Sequence, residues 1–97
     1  MENNRRKYEA MIVFYPNRDE ERERAMERIR AIIQEDGEIE SVDEWGLRKL
    51  AYEINYTREG FYVLINMNSS ASVVKELTRV LKITDCVMRQ MIIRDGE

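Results

Sequence analysis

The sequence predicts a single α+β domain with the element order β-α-β-β-α-β, an antiparallel four-stranded sheet carrying both helices on one face. Three observations lead there. Apolar residues recur at a spacing of two in some segments and at helical spacing in two others. The few glycines and the single proline fall where those segments should end. No linker, repeat or low-complexity stretch breaks the chain, and 97 residues hold one domain, spanning 1–97, rather than two.

The first strand is read from Lys7 to Tyr15. Tyr8, Ala10, Ile12 and Phe14 share one face, while Met11, Val13 and Tyr15 share the other with Lys7 and Glu9. Pro16 and Asn17 stop it, and Asn17 or Asp19 is placed to cap a helix. That helix is expected from about Asp19 to Asp36, with Met26, Ile29, Ile32 and Ile33 as its apolar stripe and Gly37 as its stop. Glu20 and Arg24 stand at i,i+4 on its wet face. A long hairpin follows. Its first strand runs from about Glu38 to Ile54 with a bulge or bend near Gly46, its turn from Asn55 to Gly60, and its return strand from Phe61 to Met67. Ser69 and Ser70 open a second helix striped by Val73, Val74, Leu77, Val80 and Leu81. Val87 to Arg94 forms the last strand. This order is the split βαβ pattern of the ferredoxin-like fold.

Composition removes whole classes of chemistry. With no histidine and one cysteine, Cys86, the chain has no Ser-His or Cys-His nucleophile pair, no structural zinc set and no disulfide framework. A lone thiol suits a reducing compartment, and Cys86 reads as a small buried or half-buried side chain. The longest apolar run, Ala10 to Tyr15, is six residues, too short to span a bilayer or to form a signal-peptide core. A cytoplasmic protein with no membrane partner is expected. Most carboxylates lie in Asp19–Asp36 and Glu38–Glu44, where a helix face and a hairpin solvate them, so no acid pair has the burial that catalysis needs. The four glycines form no phosphate-binding loop. No catalysis, metal, cofactor or small-molecule substrate is expected.

The net charge of −3 is unevenly spread: +1 over residues 1–16, −6 over 17–44 and +2 over 45–97. RNA binding follows the local field, so this total does not exclude it. The sheet face away from the helices should be open to water, yet it carries Met11, Val13, Tyr15, Tyr62 and Leu64. These five residues are the expected face for a protein partner. Arg58 to Ile65 has a loose likeness to the RNA-recognition-motif signature, but Val63 and Leu64 follow Phe61 and Tyr62 where a second aromatic is needed. Base stacking on the sheet is therefore not the favoured reading.

A longer pattern carries more. Arg5-Arg6-Lys7-Tyr8-Glu9 leads into the first strand and Pro16-Asn17 ends it. Then come Glu44-Trp45-Gly46-Leu47-Arg48-Lys49-Leu50-Ala51-Tyr52-Glu53-Ile54, Glu59-Gly60-Phe61-Tyr62-Val63, Leu81-Lys82-Ile83-Thr84-Asp85 and Val87-Met88-Arg89-Gln90-Met91-Ile92. Together these closely resemble the bacterial small-subunit ribosomal protein S6 family over nearly the whole chain. Glu53 stands where that family commonly has proline. The resemblance implies a ferredoxin-like structural protein that binds the central domain of 16S ribosomal RNA jointly with the small basic ribosomal protein S18. A slightly acidic chain can sit on RNA when a basic partner shares the contact.

Candidate phosphate ligands are the cations able to reach out: Arg5, Arg6 and Lys7 at the N-terminus, Arg48 and Lys49 on the hairpin, and Lys82, Arg89 and Arg94 towards the C-terminus. The resemblance favours Arg6, Arg48, Lys49 and Arg89 among them. Arg22 to Arg30 are surrounded by acids and read as solvated, and Tyr8 reads as packing. A different class of protein, a ferredoxin-like regulatory module binding a small metabolite, would need a convergent polar pocket. Acyl-phosphate hydrolysis on the same fold would need a glycine-rich loop where this chain has Tyr15-Pro16-Asn17-Arg18.

Overall fold

A computed structural model describes residues 5–54 and 56–94. Six elements follow in the expected order: β1 (Arg6–Phe14), α1 (Asp19–Gln34), β2 (Gly37–Ile54), β3 (Thr57–Ser69), α2 (Ala71–Lys82) and β4 (Val87–Arg94). The strands form one sheet in the order β2-β3-β1-β4, every neighbour antiparallel. Period-two alternation sends Ala10, Ile12 and Phe14 of β1 and Val63, Ile65 and Met67 of β3 to one face. There they meet Met26, Ile29, Ile32 and Ile33 of α1 and Val73, Leu77, Val80 and Leu81 of α2. In register, Ile12 lies between Val63 and Gln90. A slip of one residue would turn this whole set to water, so burial of one face fixes the pairing.

The ends of α1 depart from expectation. The helix stops at Gln34, and Arg18 holds the N-cap position with no hydrogen bond from its side chain to the helix end. Asn17 cannot cap because it takes a left-handed turn conformation, φ 66°, and Asp19 is already helical. The helix start is instead supported by negative charge, Asp19, Glu20 and Glu21 lying in the first turn beside the positive end of the dipole. The expected Glu20–Arg24 pair gives way to Arg22–Asp19, three residues apart at 2.8 Å. Gly37 is not a helix stop but the first residue of β2, opposite Ser69. A Cβ there would lie 2.5 Å from the Cβ of Ser69 and 2.8 Å from the Asn68 carbonyl oxygen, so glycine permits the close approach of β2 to β3.

The hairpin is tighter and longer than the sequence suggested. Thr57 pairs with Ile54 and, past a register shift between Lys49 and Ile54, pairing runs from Glu59 to Ser69; Asn55 lies outside the described residues. Tyr56 completes the turn with φ 63°. Gly60 therefore sits inside β3, where a Cβ would overlap the Val13 side chain. Gly46 does mark a bulge, with φ 81° at a register shift after Glu44. The molecule measures 49 × 27 × 20 Å. Nine residues of β1 span only about 30 Å, so the distal hairpin supplies the remaining length.

Candidate nucleic-acid interface

On the face away from the helices, Met11 lies between Leu64 and Met91, and Val13 between Tyr62 and Arg89. Met11, Tyr62 and Leu64 are half-buried, as an open face requires. Val13 belongs to the same face but is only 4% exposed, its side chain filling the space that Gly60 leaves free. It supports the surface rather than forming it. Tyr15 stands past the end of β1, its backbone N–H donating to the Cys86 carbonyl at 2.9 Å and its ring 5.9 Å from the Arg18 guanidinium. Met91 and Ile93 extend the apolar patch along β4 at 60% and 50% exposure. Sequence reading did not select them, although their spacing of two placed them on this face.

The patch ends in a stack. Trp45 lies 6.2 Å from Tyr62 with the rings nearly parallel, and the Arg48 guanidinium sits 5.8 Å from the indole. The indole N–H donates to Asp43 Oδ2 at 3.3 Å, and Arg48 Nε to the Trp45 carbonyl at the same distance. Such stacks fix a guanidinium that would otherwise sample many rotamers.

The eight candidate cations form two groups, not one patch. Arg5, Arg6 and Lys7 open β1, at the end of the sheet where Arg94 of β4 pairs with Tyr8. Arg5 is engaged, donating to Asp36 Oδ1 from Nε at 3.3 Å and Nη2 at 3.2 Å, with Glu38 at 4.0 Å. Arg6 and Lys7 are exposed. At the other end lie Arg89, Lys82 at the close of α2, and Arg48 and Lys49 of the hairpin, all exposed. The Arg89 guanidinium donates to the Tyr52 hydroxyl and lies 5.3 Å from that ring, tying the distal hairpin to β4. Arg89 pairs with Val13, seven strand steps from Arg6, so these two arginines are about 23 Å apart, and Arg94 and Arg89, five steps apart on β4, about 17 Å. Other arginines serve the fold: Arg22 lies 3.7 Å from the Phe61 ring centroid, and Arg79 pairs with Glu76 at 2.7 Å.

Beyond the distal hairpin an open cleft of about 820 Å³ is bordered by Pro16, Lys49, Tyr52, Tyr56 and Arg58. Among the described residues, no three acids, cysteines or histidines are grouped to hold a metal. No helix among them is long and apolar enough to cross a membrane. Burial pushes the Cys86 thiol upward in pKa, away from the reactive thiolate.

The model of a family described as ribosomal protein S6 matches residues 7–94. The chain is 53% identical over 89 residues to small ribosomal subunit protein bS6 of Alkaliphilus oremlandii, covering 91% of this chain and 95% of that one. It is 51% identical over 94 residues to the bS6 protein of Thermoanaerobacter pseudethanolicus, covering 95% and 99%. Among solved structures, the crystal structure of 30S ribosomal protein S6 from Thermotoga maritima is similar at a TM-score of 0.84 and 36% identity, covering 93% of this chain and 87% of that one.

Proposed function

The chain belongs to the ribosomal protein S6 family, and from that premise we propose that it binds the central domain of 16S ribosomal RNA jointly with the small basic protein S18. It is a structural component of the small subunit of the cytoplasmic ribosome and not an enzyme. The observation that carries the proposal is the open sheet face, apolar at Met11, Leu64, Met91 and Ile93 and flanked at both ends by exposed cations. A chain of net charge −3 gains little from a polyanion alone. A basic protein seated on the apolar face would add positive potential while losing its own exposed surface.

In this reading Met11, Tyr62, Leu64, Met91 and Ile93 meet the partner, with Val13 beneath them and Tyr15 at their margin. Arg6, Lys7, Arg48, Lys49, Lys82, Arg89 and Arg94 reach phosphates. Arg5, held by Asp36 and Glu38, orders the start of β1 more than it attracts RNA.

The test is binding of the purified chain to a central-domain RNA fragment across a salt series, with and without S18. Weak binding alone and tight, salt-sensitive binding with the partner are expected. Alanine at Arg6, Arg48 or Arg89 should each flatten the slope of log K against log salt by about one. A slope unchanged in all three variants would remove them as RNA ligands. No binding in either arm, from folded chain and intact RNA, would overturn the reading.

A further inference from the structure

We infer that the cleft at the distal hairpin is a stacking site for an unpaired RNA base, with the Tyr56 ring as its platform. The inference rests on the RNA-binding reading above and adds a contact of a different kind. Tyr56 is 96% exposed and adopts φ 63°. A two-residue hairpin turn favours glycine, asparagine or aspartate at left-handed positions, because a Cβ there crowds the backbone. A large aromatic at such a position strains the chain and exposes an apolar ring, and it adds nothing to the core. Strain kept together with exposure is typical of a residue that meets another molecule.

The surroundings say which molecule. The cleft bordered by Tyr56 also has Tyr52 on its wall, 58% exposed, and the cations Lys49 and Arg58 at its margin. Two acids also line it: Glu53 is turned to Arg58, with Nε and Oε2 3.3 Å apart, and exposed Glu59 stands opposite Lys49 in the strand register. Tyr56 offers an exposed π-face, Tyr52 a second ring beside the Arg89 guanidinium, and Lys49 charge to phosphate, the combination by which single-stranded nucleic acid is held. A base inside a helix has both faces covered, so the occupant is an unpaired one. A volume of about 820 Å³ accommodates a nucleotide with room to spare.

The experiment uses the full chain, S18 and the central-domain RNA fragment, with Tyr56→Phe, Tyr56→Ala and Tyr56→Gly. Phenylalanine keeps the π-face and should bind RNA like the parent. Alanine and glycine should lose about tenfold in affinity or more, with the salt slope unchanged because no charge is lost. Glycine relieves the left-handed strain, so its thermal midpoint should equal or exceed the parent's, separating lost contact from lost fold. Chemical probing should find one unpaired nucleotide exposed in the glycine complex and protected in the parent's. Parental affinity in the glycine variant overturns the inference, as does a loss of S18 affinity in the absence of RNA, which assigns the ring to the protein partner. If Arg6→Ala and Arg89→Ala weaken RNA binding while Tyr56→Gly does not, the stacking inference fails and the functional reading stands. If the parent binds no RNA, both fall.

Discussion

Glu21 is half-buried at the start of α1 and titrates as part of the fold. Arg18 donates to both its oxygens, Nε to Oε1 at 2.5 Å and Nη2 to Oε2 at 2.8 Å. This fork holds the carboxyl below the usual carboxylate range, with Arg24 adding a smaller pull. A carboxyl lowered in the folded state stabilises that state above its unfolded pKa, near about 4.3. The contribution is lost as pH falls through the lower folded value. Glu21→Gln should therefore be less stable than the parent at pH 7. Urea midpoints of the two chains should converge as the pH is taken well below 4. A gap that persists at low pH would mean the fork is not its source.

Each helix begins by a different device, and the difference shows which local features a sequence displays. Ser70 has an extended backbone and its Oγ accepts the Val73 N–H at 3.4 Å, so α2 starts with a side-chain cap. Ser70→Ala should destabilise the chain by about 1 kcal/mol in urea unfolding. A change near zero would show that water replaces the cap. Serine followed by a helical apolar stripe is a local signal, and α2 was legible for that reason. β4 was too, its period bounded by Thr84-Asp85 and the chain's end region. The cap of α1 was not legible, because Asn17 takes a left-handed turn conformation and Arg18 occupies the N-cap position. Nor was the start of β3. Thr57, Glu59 and Gly60 have the chemistry of a loop, but pairing with Ile54, Lys49 and Arg48 of β2 draws them into the ladder. Which side chains meet across the chain was not legible. Arg5 meets Asp36 from 31 residues away and Arg89 meets Tyr52 from 37. No local spacing encodes either contact.

Across the whole molecule, charge is sorted by topology. The −6 segment, residues 17–44, builds α1 and the first half of β2, one edge of the sheet, whereas Arg89 and Arg94 lie on β4 at the other. Such a molecule meets a polyanion with its β4 side foremost. Arg6 and Arg89, at the two ends of β1, are separated by about 23 Å, well beyond the roughly 8 Å screening length at physiological salt. Arg6→Ala and Arg89→Ala should then act independently. The double variant should lower the salt slope by about two, with binding free energies additive within about 0.5 kcal/mol. Marked coupling in the cycle would mean that the two ends contact one rigid element of RNA.

Cys86 gives the fold a built-in clock. It is the chain's one thiol, 2% exposed, and its carbonyl accepts the Tyr15 N–H that joins the end of β1 to the approach to β4. An alkylating reagent reaches sulfur only in molecules where that corner has opened, because burial denies both access and thiolate. With reagent fast against reclosure, labelling counts opening events; with reagent slow, it weighs the open population. The same sulfur can thus time the opening of this corner in the lone chain and again inside the assembled subunit, with no denaturant and no substitution in the chain.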